Sequence, residues 1–202
     1  MKHPSTRTVH DYWNEKRGNR PAPARADIDP AAIRHALGDT FMLAADFVDQ
    51  LRFRLAGTRV CALFCREVKG EEFATLWNET SKKQISDLLA VVKDEEIGAV
   101  AGVTGYAADG DTVDLEILIL PLAHIGHARV RALGVLTPLV APYWLGEKPI
   151  AKLEIGALRH IGAEIDVPTA PDLTRAVETV RLRHGFVVYS GGLEGEPGKR
   201  TG

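Results

Sequence analysis

Few residues of this chain are spaced so that they could act together on a substrate or a metal. Cys61 and Cys65, in TRVCALFCRE, lie four apart, and on a helix that spacing would bring both sulfurs to one face. They are the only cysteines in 202 residues, whereas zinc needs about four ligands and an iron–sulfur cluster usually as many. Packing as small buried hydrophobes is the reading that suits them. His124 and His127, in AHIGHARV, fall in a loop between two strand-like runs with no cysteine or paired carboxylates beside them, so solvated surface is preferred to metal binding. The Asp94-Glu95-Glu96 run reads as a helix end in solvent. GGLEGEPG is glycine-rich but lacks the strand, helix and lysine of a phosphate loop, and no Gly-x-Ser-x-Gly elbow occurs. No catalytic residue, metal or cofactor is assigned, and the chain is read as a non-enzyme whose output passes through binding.

Composition narrows the partners. A formal charge of -2 offers no general attraction to nucleic acid or to an anionic membrane. The longest apolar run, LEILILPLA, carries Glu116 and is far shorter than the ~20 residues of a membrane span. MKHPSTRTVHDYW has no apolar core of a signal peptide, so the cytoplasm is the expected location. With 45% hydrophobic residues the chain can bury one principal core plus extensions.

The elements follow from periodicity. Residues 5–17 are helix-compatible, with Val9, Tyr12, Trp13 and Lys16 near one face before Gly18 and Asn19. Residues 19–27 form a proline-stiffened arm, and Asp29-Pro30 then reads as an N-cap and first position of a helix to Leu37. TFMLAADF and LRFRLAGTRV read as a hairpin, with Leu51, Phe53 and Leu55 on one face and Arg52 and Arg54 on the other. A helical region spans 58–93, with Thr58 as an N-cap and a longer helix carrying Ile85, Leu88, Leu89 and Val92. Three strands follow, GAVAGVTGYAA, TVDLEILILPL and ARVRALGVLTPL, the first two joined by a tight turn at Asp109-Gly110. Beyond 140 comes a proline-bounded segment, then the linker-like PTAP. DLTRAVETVRLRHGFVVYSGG suggests a short helix and a terminal strand, and the closing GLEGEPGKRTG suits disorder.

Two strands, a packet of helices and three meandering strands make an α+β fold with helices on one face of an antiparallel sheet. That order resembles the PAS domain. YWNEKRGNRPAPARADIDPAAIRHALGDTFML followed by LRFRLAGTRVCALFCREVKGEEF is similar to a stand-alone alphaproteobacterial PAS family formerly of unknown function, over roughly residues 10–140. The most specific matches are Trp13, Arg17, Gly18, the run 27–30, Arg54, Gly57, Thr58, Arg59 and Gly70. Cys65 stands where that family's pattern has a glycine.

The resemblance implies a five-stranded sheet (38–140) with an N-terminal helical cap and arm (1–37), a C-terminal extension (141–202), and a sensory role. A flavin-type PAS cysteine would sit in an Asn-Cys-Arg setting, which TRVCALFCRE lacks, and 58–93 has no histidine for haem. An unknown small-molecule ligand would lie between sheet and helices. The pocket candidates are Phe64, Phe73, Trp77, Leu88, Val103 and Ile117, with Thr104 and Tyr106 as polar groups. A filled core explains the same residues, and a pure protein-interaction scaffold is then the alternative. Tyr12, Trp13 and Arg17 are the interaction candidates, placed either on a homodimer or partner contact or back on the chain's own core.

Overall fold

The computed structural model describes residues 1–45, 50–123 and 131–161. His124, His127 and everything expected of residues 162–202 lie outside them.

Among the described residues a single antiparallel sheet organises the fold. Strands β1 (Thr40–Ala45), β2 (Leu51–Ala56), β3 (Gly98–Ala107), β4 (Thr112–Leu122), β5 (Arg131–Pro138) and β6 (Ile150–Ile161) stand in the order β2-β1-β5-β4-β3-β6. The sheet has six strands, not five. The sixth lies within the stretch expected to be an extension and pairs along β3 from Gly98↔Ile161 to Ala107↔Ile150. Trp144, buried just before it, returns this segment to the core.

Apolar residues occupy both sheet faces, because alternate residues of the central strands point to opposite sides. On one face, helices α2 (Thr58–Leu63) and α3 (Glu79–Asp94) cover a core that includes Phe41, Phe53, Phe73, Trp77, Leu115 and Ile117. Asn78 caps α3, its side chain accepting from Ser81 N at 2.8 Å, and Ile85, Leu88, Leu89 and Val92 are all buried, as their helical spacing predicts. On the other face, helix α1 (Pro4–Arg17) and the arm cover a second cluster of Met42, Val100, Leu118, Leu120, Leu133 and Val135. The molecule is thus layered as cap, sheet and helices.

Three local expectations are corrected. Residues 30–37 do not form one helix: they make single tight turns whose bonds run i→i−3, Arg34 N to Ala31 O, Ala36 N to Ile33 O and Asp39 N to Ala36 O. Asp29 does cap the first, accepting from Ala31 N at 2.9 Å. Thr58 is not the N-cap of α2. Gly57 occupies that position and supplies no side-chain bond. Leu55 does not share a face with Phe53, because the register passes from Met42↔Leu55 to Leu43↔Phe53 and leaves Arg54 as an extra residue. This bulge turns Leu55 toward the cap side, where it is half exposed beside Ile28, Ile33 and Met42.

Candidate functional site

The cysteines do not act as a pair. Helix α2 ends at Leu63, and Cys65 lies beyond it with φ +50°, so Cys61 is buried and Cys65 exposed. The positive φ is the backbone reason for a glycine in the resembled pattern at this position. No group of three or more potential metal-ligating side chains occurs among the described residues.

Six pocket candidates, Phe64, Phe73, Trp77, Leu88, Val103 and Ile117, meet in the helix-side core and are almost wholly buried. Phe41, Phe53, Phe73 and Trp77 form a chain of ring contacts with centroids 5.5 to 5.7 Å apart, at angles that suit the aromatic quadrupole. Thr104 and Tyr106 are not with them. Ala99, Ala101 and Val103 point into the helix-side core, so strand alternation sends Val100, Thr104 and Tyr106 to the opposite face, where the last two are half-buried. Surface clefts of about 250 to 300 Å³ are lined by other residues than these eight.

Among the described residues, a buried polar site lies instead where the cap meets the sheet. Trp13, 3% exposed, belongs to the cap-side core and donates its Nε1–H to Pro121 O at 2.8 Å. Arg17 lies over the Trp13 ring at 5.4 Å. Tyr12 is half-buried, and its hydroxyl accepts from Asp29 N at 2.8 Å and donates to Asp27 O at 3.3 Å, tying α1 to the arm. The arm is itself fixed to the sheet, since Ala123 N donates to Pro23 O at 2.8 Å. The proline-studded stretch is therefore a strap that keeps α1 on the sheet.

Two carboxylates hold the start of α1. Glu116, 5% exposed in the middle of β4, accepts from Lys2 N at 2.6 Å and His3 N at 3.0 Å. Asp39, 2% exposed at the entry to β1, accepts from Ser5 Oγ at 2.6 Å and, bidentately, from Arg59 Nε at 2.6 Å and Nη2 at 2.9 Å. His3 completes the network: its Nδ1 accepts from Ser5 N at 3.2 Å, and its Nε2 lies 3.4 Å from Thr137 Oγ1. Neither carboxylate was singled out from the sequence as functional. The signal for Glu116 was present, as a charge inside an otherwise apolar strand run.

Burial pushes both carboxyls up, but the opposing bonds prevail. The His3 and Lys2 amides hold Glu116 below its ordinary 4.5, and Arg59 and Ser5 hold Asp39 below 3.8, with His3 also facing it. A depressed folded-state pKa contributes stability that is fully present above the unfolded value and is lost as pH falls through the folded value. The contribution of these two carboxylates to cap docking is therefore expected to be fully present above the unfolded value of 4.5 and to be lost as pH falls further, first from Glu116 and then, below 3.8, from Asp39 as well. Amide exchange of α1 against pH checks this, and protection unchanged well below 3.8 would contradict it.

Sheet order, the two covered faces and the cap define an α+β module. The family model described as PAS domain matches residues 1–137, and the chain belongs to that family, one of sensory and signalling domains. Among curated proteins none matches the chain. Solved structures similar to it include the PAS domain of a protein from Colwellia psychrerythraea, 14% identical over 55% of this chain and 97% of that one, TM-score 0.39. A light-oxygen-voltage domain studied with a flavin analogue is 15% identical over 58% and 87%, TM-score 0.43. The light-state blue-light photoreceptor Aureochrome1 LOV is 13% identical over 57% and 91%, TM-score 0.41. No helix among the described residues is long and apolar enough to cross a membrane.

Proposed function

We propose that this chain is a non-catalytic regulatory protein of signal transduction whose output is the binding of a protein partner, gated by docking of its own N-terminal cap. The observation that carries this reading is what the cap covers. Beneath α1 and the arm lie Met42, Val100, Leu118, Leu120, Leu133 and Val135, a continuous apolar sheet surface of the kind protein interfaces use when it is uncovered. A partner that binds the uncovered sheet shifts the cap equilibrium by its differential affinity for the two states. A second copy of the chain, in a homodimer, is one such partner.

A small-molecule sensor is the second reading, and one observation favours it. Trp77 Nε1 is fully buried and has no hydrogen-bond partner among the described residues, although a buried donor left unpaired costs about 1–3 kcal/mol. A ligand acceptor admitted beside Phe73 and Trp77 would satisfy it. Mass spectrometry of compounds released on denaturing the freshly purified protein separates the two. The partner reading expects no stoichiometric compound, and one found at stoichiometry would replace it with the sensor reading.

A further inference from the structure

The two covered faces of the sheet meet at one side chain. Asp39 ends a tight turn (Leu37–Asp39) and precedes β1, whose Phe41 points into the helix-side core and whose Met42 points into the cap-side core. One carboxylate oxygen takes both the Ser5 hydroxyl of α1 and Arg59 Nη2, while the other takes Arg59 Nε. Arg59 belongs to α2, whose Val60, Cys61 and Leu63 are part of the helix-side core.

The surrounding backbone leaves this junction little freedom. Gly57 at the start of α2 donates its N–H to Thr40 O at 2.8 Å and lies so close to the Leu37–Gly38 turn that a Cβ would stand 2.2 Å from Leu37 O. Arg59 lies across Gly38, where a Cβ would stand 2.8 Å from its Cζ. Arg59 Nη2 also donates to His35 O at 3.1 Å. A displacement of α2 therefore moves the guanidinium, and with it the carboxylate that Ser5 needs.

We propose that Asp39 is a positioning residue that couples docking of α1 on one face of the sheet to the placement of α2 on the other. Coupling of this kind is reciprocal: full release of either helix lowers the cost of releasing the other by the same amount, whereas weakening one contact of a helix that stays docked, away from the shared carboxylate, does not transmit. The proposal uses the cap-gated reading for its purpose, but the coupling exists or fails without any ligand or partner.

The two natural thiols supply the probe. In a Cys65→Ser background Cys61 is the one remaining cysteine, 8% exposed on α2, so that its reaction with an aqueous thiol reagent is slow while α2 is in place and speeds as α2 opens. Ser5→Ala, which removes a group that does not touch α2, is expected to speed Cys61 labelling roughly tenfold, the scale of a lost hydrogen bond to a charged group. Arg59→Gln is expected to raise amide exchange across residues 6–17 by a similar factor. In the Ser5→Ala/Arg59→Gln double variant Cys61 labelling should be no faster than in Arg59→Gln alone, since both substitutions act through the same carboxylate. Tyr12→Phe, which loosens the cap at the arm and leaves Asp39 intact, should leave Cys61 labelling unchanged. The proposal is overturned if Ser5→Ala labels at the parental rate, if the double variant labels faster than Arg59→Gln alone, or if Tyr12→Phe speeds labelling as much as Ser5→Ala does. Near-ultraviolet circular dichroism of each variant separates these outcomes from general loss of packing.

Discussion

Trp13→Ala is expected to cost roughly 3–5 kcal/mol, the range for removing a large buried aromatic. The indole fills the cap-side core beside Leu120 and Leu122, and its loss also leaves Pro121 O without the Nε1–H that satisfies it. For a domain of this size the change corresponds to a fall of about 10 °C in melting temperature. The effect should also be local. A 14-residue helix is marginal by itself in water, so α1 loses its reason to be helical once it leaves the sheet, whereas the helix-side core does not contain Trp13. Hydrogen exchange should accordingly lose protection over residues 4–17 and keep it over α3 and β5. The uncovered sheet should then bind a hydrophobic dye and draw the protein into oligomers. A melting temperature unchanged within error, with α1 still protected, would show that the cap does not depend on this anchor.

Gly57→Ala should be as damaging for a different reason. The backbone at Gly57 has φ -70°, a conformation any residue adopts, so the need for glycine is one of space alone. A methyl group there would stand 2.2 Å from Leu37 O and 2.4 Å from Gly38 O, both main-chain atoms that cannot rotate aside. Separating these segments breaks the Gly57–Thr40 bond and moves Arg59 off Asp39, and the expected loss is about 3 kcal/mol or more, at or above the usual limit for overpacking. Gly102→Ala is the internal control. Nothing lies within 4 Å of a Cβ there, and stability should change by no more than about 0.5 kcal/mol. Urea unfolding midpoints of both variants test the contrast, which disappears if the two differ little.

What could be read from the sequence was what depends on neighbours in the chain. Helix α3, the turn at Asp109-Gly110 and the PAS order of elements follow from periodicity, capping and turn chemistry within a few residues. Two of the errors arose where a distant strand decides. Leu55 obeys a two-residue period until the bulge opposite Met42 reverses it, and β6 becomes a strand because β3 offers it an edge. Thr104 and Tyr106 were grouped with Val103 although simple alternation separates Thr104 and Tyr106 from it. Asp39 and Glu116 show the limit most clearly. Their partners are Ser5, Arg59, Lys2 and His3, from 20 to 114 residues away, and no local pattern marks a carboxylate that a remote helix start will need.

The separation of those contacts has a consequence during synthesis. Helix α1 leaves the ribosome before the sheet that it binds, so Trp13 must wait for Pro121 and Lys2 for Glu116, 108 and 114 residues later. At about 5–20 residues per second that delay lasts roughly 5 to 20 s. Throughout it the nascent helix has no sheet to bind. Closing the cap is then a late, long-range step of folding on the ribosome, and the amphipathic face of α1 stays available to chaperones until β4 emerges.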